Sequence, residues 1–296
     1  MFNRLSEDNF RKLKLPRESS LVNFSSFREL KTDVLFRSFS LKFVTEGCEQ
    51  YLIDGNLFKV SKGEFLVGNH FSNGKLLIQS DKAVKGLCID IAPEIMSDVA
   101  NGFRCPEITE QDPELVTFFT SESFVENKSH FSNNSIGRQL QQISGQISYQ
   151  TDHQFEFNKE FYYLLAENLV SVYAPDFYKV QKLNVSKIQT RKMLYRKMLA
   201  ARNYIDEHFI SIENIEEVAR ASSVSEYHFF RLFRQLFNES PYQYITRKKL
   251  NLALQLLKDK GFSLTDIAVA CGFADLSSFS KNFKKQFGVS PRGFTA

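Results

Sequence analysis

Long apolar runs are missing from this 296-residue chain. Its longest apolar stretches, such as 264–274 with Asp266 inside, fall far short of the roughly 20 residues a membrane span needs, so no membrane partner is expected. The first ten residues, MFNRLSEDNF, are charged and carry no apolar run. They read as the start of a cytoplasmic chain without a signal peptide. Cysteine is scarce: Cys48, Cys88, Cys105 and Cys271 are far apart, with no CxxC pair. That pattern fits scattered reduced thiols rather than a disulfide framework or a zinc site. HExxH, GxSxG, the Walker lysine loop and GxGxxG are all absent, so no catalytic residue, metal ligand or cofactor is assigned and a non-enzyme is expected. The apolar fraction of 43% can bury a core in each of two domains, at roughly 150 residues per domain.

A net charge of +4 conceals an asymmetry. Residues 186–296 hold 18 Lys and Arg against 10 Asp and Glu, a balance of +8, and residues 1–185 carry −4. A basic C-terminal third on a mildly acidic body suggests a polyanion-binding module joined to a domain with another task.

From Leu35 to about Ile95 short segments rich in Val, Ile, Leu and Phe alternate with turn signals at Asp54-Gly55, Lys62-Gly63, Gly68-Asn69 and Asn73-Gly74. The spacing predicts strands over 36–43, 49–53, 57–60, 64–67, 76–78 and 84–91, arranged as a small barrel or sandwich, with a hairpin at Asp54-Gly55. After Pro93 the period lengthens, and helices are expected over about 112–125, 133–149 and 156–174. The second carries a narrow stripe of Ile136, Leu140, Ile143 and Ile147; the third carries Phe157, Phe161, Leu164, Leu165, Leu169 and Val172. Packing on their own domain is favoured for these stripes, with a dimer seam as the alternative. Pro175 is expected to stop the third helix, leaving a polar linker.

From about Arg191 the chain repeats itself. Phe229, Phe233, Phe237, Ser240 and Pro241 recur 50 residues later as Phe279, Phe283, Phe287, Ser290 and Pro291. Val218-Ala219 and Val224 recur at an offset of 49 as Ile267-Ala268 and Phe273. Such self-similarity implies two equivalent modules. Each reads as helix–turn–helix, with second helices over about 226–237 and 276–287 and candidate N-caps at Ser225 and Asp275. With the phenylalanines turned inward, Tyr227, Phe230, Arg231, Arg234 and Gln235 face out in the first, and Ser277, Ser280, Lys281, Lys284 and Lys285 lie on other faces in the second. Basic and polar side chains there suit a DNA major groove. An amphipathic helix over 242–258 joins the modules, about 26–29 Å long at 1.5 Å per residue.

The run KKLNLALQLLKDKGFSLTDIAVACGFADLSSFSKNFKKQFGVSPRGF strongly resembles the AraC/XylS family of bacterial transcription regulators. The family's basic-Leu-x-x-Ala-x-x-Leu-Leu helix and Ile-Ala-x-x-x-Gly-Phe-x-x-x-Ser-x-Phe-x-x-x-Phe-Lys-x-x-x-Gly-x-Ser-Pro pattern are matched throughout between Lys249 and Pro291. The resemblance covers about 190–296; Phe294-Thr295 stands where members usually have Tyr-Arg. It implies a sequence-specific regulator of double-stranded DNA, an activator by family tendency, acting as a homodimer and meeting RNA polymerase. It also implies base readers at Tyr227, Phe230 and Arg231 in the first module and Leu276, Ser277, Ser280 and Lys281 in the second. Packing on the linker helix is the competing role for Tyr227 and Phe230. Arg234, Lys284, Lys285 and the Arg247–Lys249 cluster suit phosphate contacts or a solvated face better.

Family members commonly carry a cupin-like β-barrel before the DNA-binding domain. The expected fold is therefore α+β: a cupin-like barrel with following helices over 1–175 that senses and dimerises, a linker over 176–190, and an all-α domain of two helix–turn–helix motifs over 191–296. A metal-binding cupin clusters two or three His with a Glu, whereas only His70 stands near Glu64, and His130, His153, His208 and His228 do not complete a set. A barrel lined by Phe36, Phe43, Tyr51, Phe58, Phe65 and Leu77 suits a small hydrophobic effector, or its side chains simply fill the interior. Arg37 and Lys42 are candidate partners for an anionic effector. The competing readings are a constitutive dimeric DNA binder without effector, and a cupin-type enzyme with a DNA-binding tail.

Overall fold

The computed structural model describes residues 1–12, 19–36, 38–104, 113–149, 155–181, 183–185, 187–258 and 261–294. The chain divides into two compact units, one of residues 1–181 with 185–192, the other of 182–184 with 193–296. The order is α+β, strands then helices, followed by an all-helical unit.

The first unit holds β1 (Phe2–Ser6), β2 (Leu21–Leu35), β3 (Phe39–Glu46), β4 (Cys48–Ile53), β5 (Asn56–Ser61), β6 (Glu64–Gly68), β7 (Asn73–Ile91) and β8 (Asn127–His130). Two long strands organise it. β2 and β7 pair antiparallel along nearly their whole length, and β7 then serves two neighbours, β4 at its first half and β3 at its second. The resulting order is β1-β2-β7-β3-β6-β8, with β4 and β5 branching from β7. Where Phe27 pairs with Val84 and Glu29 with Gln79, residues 80–83 bulge out, which bends the strand.

Hairpin chemistry is visible at Asp54-Gly55. Both residues have positive φ (47° and 79°), and Ile53 pairs with Asn56 across the two-residue turn, as a type I′ hairpin requires. Asn73-Gly74, expected as a turn, instead opens β7. A Cβ on Gly74 would lie 2.1 Å from the Leu52 carbonyl oxygen, so glycine here permits close approach of β4 rather than a reversal.

Strand alternation divides the side chains between two cores. Val22, Phe24, Phe39, Leu41, Phe43, Phe65, Val67, Leu87, Ile89 and Ile91 meet the helices α1 (Pro93–Gly102), α2 (Pro113–Thr120), α3 (Ser135–Tyr149) and α4 (Lys159–Gln181). The opposite faces of the strands supply a second core with Phe27, Phe36, Val44, Tyr51, Ile53, Leu66 and Ile78. Ile136, Leu140, Ile143 and Ile147 of α3 and Leu165 and Leu169 of α4 are buried in the first core. Those stripes therefore pack within their own unit, as favoured; Leu164, grouped with them on spacing, is exposed.

Pro175 does not stop its helix. α4 runs through it to Gln181, because Tyr173, Ala174 and Phe177 are buried in the core and that burial offsets the lost hydrogen bond. The segment read as a linker thus begins inside α4 and ends inside α5 (Ile188–His208). The helical unit continues with α6 (Ile215–Ala221), α7 (Glu226–Phe237), α8 (Pro241–Leu256), α9 (Leu264–Ala270), α10 (Leu276–Phe287) and α11 (Pro291–Phe294).

Candidate nucleic-acid interface and interior cavity

Each half of the helical unit is a helix, a tight turn and a second helix held by phenylalanines. In the first, Phe229, Phe233 and Leu236 of α7 are fully buried, with Phe233 edge-on to Tyr244 of α8 at 5.6 Å. In the second, Phe279 and Phe283 of α10 pack with Leu250, Ala253, Ile267, Ala268 and Cys271. The repeat extends to the backbone. Ser223 and Gly272, at the 49-residue offset, both have positive φ in the turn (53° and 71°); Asn238 and Gly288, at 50, close α7 and α10 in the same left-handed region. Asp275 caps α10 by accepting from the Ser278 N–H at 2.6 Å, whereas the Ser225 side chain makes no cap bond to α7.

Burying those aromatic stripes turns the other faces outward. Arg231 and Arg234 of α7, and Leu276, Ser277, Lys281, Lys284 and Lys285 of α10, are exposed. Ser280 is half-buried. The aromatic pair at the start of α7 divides: Tyr227 is 73% exposed, while Phe230 stacks against Tyr242 of α8 at 5.7 Å. Arg231, Arg234, Lys281, Lys284 and Lys285 have no acidic partner among the described residues. α10 contains no acidic residue at all.

The basic cluster of α8 behaves differently. Arg247 holds Glu239 through two hydrogen bonds of 2.7 and 3.2 Å, Lys248 pairs with Asp206 at 2.9 Å, and Lys249 donates to the Gly272 carbonyl at 2.7 Å. These three charges fasten α8 to its neighbours, which replaces the phosphate role considered for them. α8 itself has 16 residues, about 24 Å at 1.5 Å per residue.

The family described as Helix-turn-helix domain matches residues 218–296. Over 94 residues the chain is 34% identical to the probable transcriptional regulator LumQ of Photobacterium leiognathi, covering 32% of this chain and 38% of LumQ. Over 89 residues it is 36% identical to the HTH-type transcriptional activator RhaS of Escherichia coli, covering 30% of this chain and 32% of RhaS. Over these residues the chain is similar to helix-turn-helix transcription regulators. It spans about a third of the length of those two curated relatives. A solved structure of ToxT from Vibrio cholerae with unsaturated fatty acid bound aligns with 96% of the chain and 97% of ToxT, at 13% identity and a TM-score of 0.36. No helix among the described residues is long and apolar enough to cross a membrane.

The helix-turn-helix match leaves the first unit uncovered, and that unit contains a cavity of about 250 Å³. Its walls include Leu5, Phe10, Phe27, Leu30, Leu76 and Ile78; its floor is polar, with Lys42, Glu49, Tyr51, Cys88 and Asp90. Lys42 and Tyr51, expected at an effector site, line it. Phe43 and Phe65 do not: they lie in the core beneath the helices. Side chains alternate along a strand, so placing Lys42 inward turns Phe43 to the opposite face. Arg37 and His153 lie outside the described residues.

The floor is closely bonded. Lys42 Nζ donates to Cys88 Sγ at 2.6 Å and lies 3.7 Å from Asp90; Cys88 in turn donates to Asp90 at 3.5 Å, and Ser40 donates to the same carboxylate. Burial pulls the Lys42 ammonium down, but Asp90, Cys88 and Glu49 together outweigh it and hold it above its usual range. Burial and the nearby Asp90 push the Cys88 thiol up to about 12, so it stays neutral beside the lysine. Burial likewise raises Glu49, against the hydrogen bond from Tyr51 and the charge of Lys42. Cysteine and acidic residues in this face were not singled out from the sequence. Gly86 makes room for the carboxylate, since a Cβ there would lie 2.8 Å from Glu49 Oε1. Glu64 is engaged elsewhere, with Lys128 at 3.0 Å.

Proposed function

We propose that the protein is a cytoplasmic, sequence-specific transcription regulator whose first unit takes up a small effector and whose helical unit reads double-stranded DNA. The observation that carries this is the duplicated helix–turn–helix whose second helices both carry basic side chains with no acidic partner among the described residues. In this reading Arg231, Lys281, Ser277, Ser280, Leu276 and Tyr227 reach base edges, with Phe230 holding α7 against α8 while its edge meets the groove. Arg234, Lys284 and Lys285 meet phosphates. The relatives are named as regulators, which points away from an enzyme.

The domain assignment follows: 1–175 for effector sensing and dimerisation, 176–190 joining, 191–296 for DNA. Activation through RNA polymerase by a homodimer is the finer form of the proposal. A cavity with apolar walls and a charged floor favours an effector over a constitutive binder. The effector acts by binding one arrangement of the DNA-binding units better than another, and a coupling of about 1–3 kcal/mol gives about 5–150-fold regulation.

The test is binding to a duplex selected from a random pool. Arg231→Ala weakens binding by about 1–3 kcal/mol and blurs preference at one or two base pairs. Lys284→Ala weakens all sequences alike and lowers the salt slope by about one. Unchanged affinity and preference in Arg231→Ala would remove α7 from the interface.

A further inference from the structure

The cavity is not balanced in charge. Among its described lining residues Asp33, Glu49 and Asp90 are acidic and Lys42 alone is basic. Lys42 is already engaged: it faces Asp90 at 3.7 Å and donates to Cys88, which itself donates to Asp90. An anionic ligand would have to take Lys42 from Asp90 and leave that carboxylate, only 4% exposed, without its cation. Stranding a buried charge is costly. The anionic effector for which Arg37 and Lys42 are candidate partners is thereby disfavoured at Lys42.

Glu49 is in the opposite position. It is also 4% exposed, and its Oε2 accepts from the Tyr51 hydroxyl. Its Oε1 has no hydrogen-bond partner among the described residues, although the residue lines the cavity; the missing Cβ of Gly86 lets that oxygen lie close to the Gly86 backbone. A carboxylate oxygen that opens on a cavity and has no donor is an acceptor for a ligand N–H, and a cationic donor gains most in low dielectric. Around it, Phe10, Phe27, Leu30, Leu76 and Ile78 supply apolar wall. A cavity of about 250 Å³ holds roughly eight water-sized groups.

Resting on the effector reading above, we propose that the cavity takes the protonated amine of a small amphipathic compound, its ammonium against Glu49 Oε1 and its apolar part along those walls. Asp33 at the exposed rim draws such a cation toward the mouth and repels a carboxylate.

The experiment compares three probes of equal chain length, octylammonium, octanol and octanoate, on the unaltered full chain by calorimetric titration. Octylammonium is expected to bind most tightly and octanoate least. Glu49→Gln, nearly the same shape, then lowers ammonium affinity by about ten- to a hundredfold, the worth of one charged hydrogen bond, and brings it close to that of octanol. Octanoate binding as well as octylammonium, or all three binding alike, overturns the cationic class while leaving an effector cavity in place. Binding by none of the three overturns both readings. Because the probe comparison uses the unaltered chain, it stands even where Glu49→Gln fails to fold.

Discussion

The two modules differ at one backbone position in a way that sets a measurable asymmetry. Ser223 and Gly272 occupy the same place in their turns, both with positive φ. A residue with a Cβ costs about 1–2 kcal/mol in this region. Ser223→Gly removes that strain but adds about 0.5–1 kcal/mol of chain entropy to be lost on folding, for a net gain of about 0.5–1 kcal/mol. Its Lys197 contact survives, since that bond, 2.9 Å, goes to the Ser223 carbonyl. Gly272→Ala meets the same strain and a worse neighbour. Its Cβ would lie 2.4 Å from the Ile210 carbonyl oxygen and 3.2 Å from Lys249 Nζ, which anchors α8 to this turn. Backbone on one side and an anchored lysine on the other leave little room to relax, so the cost is about 2–4 kcal/mol. Urea denaturation followed by helical circular dichroism measures both in the same unit. Gly272→Ala costing under about 1 kcal/mol would mean that the turn is not held against Ile210 as described.

Three further outcomes follow from the same contacts. Leu140→Lys places an ammonium in a fully buried position and should unfold the first unit, at about 4 kcal/mol or more, whereas Leu164→Lys on an exposed face should leave melting unchanged. A folded, monomeric Leu140→Lys chain in sedimentation would restore the dimer-seam role that the structure removes from that stripe. Glu49, facing Lys42, Tyr51, Cys88 and Asp90, keeps its proton to higher pH folded than unfolded, so its stabilising share is complete below the ordinary carboxylate range, about 4.3. That share is lost as pH rises through the raised value. Melting temperature against pH should therefore fall more for the wild type than for Glu49→Gln, and parallel curves would show that Glu49 titrates normally. Arg247→Ala should destabilise the helical unit by breaking its two bonds to Glu239, with little change in the salt slope of DNA binding; a slope reduced by about one would return Arg247 to the phosphates.

What was legible depended on which way the informative side chains face. The helical unit is coded by repetition: Phe229, Phe233 and Phe279, Phe283 at helical spacing fix the inner face, so the outer one follows, and α7 and α10 begin and end where the pattern says. The end of helix α4 is not legible at Pro175, because the burial of Tyr173 and Phe177 that carries the helix on to Gln181 exists only in the fold. β2 was missed altogether. Its Asn23 and Ser25 on the cavity alternate with Val22 and Phe24 of the other core for only four residues before Ser26-Phe27 reverses the pattern, too short a run to mark a 15-residue strand.

Burial on both faces puts acids on the cavity, in place of the phenylalanines that apolar spacing suggests. In a sheet covered on both sides, alternation no longer separates core from solvent; it separates two interiors. Along β3 the apolar set Phe39, Leu41, Phe43 belongs to the tightly filled core, and the interleaved Ser40 and Lys42 belong to the other interior. Along β7 Leu87, Ile89 and Ile91 alternate in the same way with Cys88 and Asp90. A buried polar stripe, matched between neighbouring strands in register such as Lys42 with Cys88 and Ser40 with Asp90, is what a binding interior looks like in sequence. It becomes readable only once the pairing is known, because no single strand reveals that its polar face is covered.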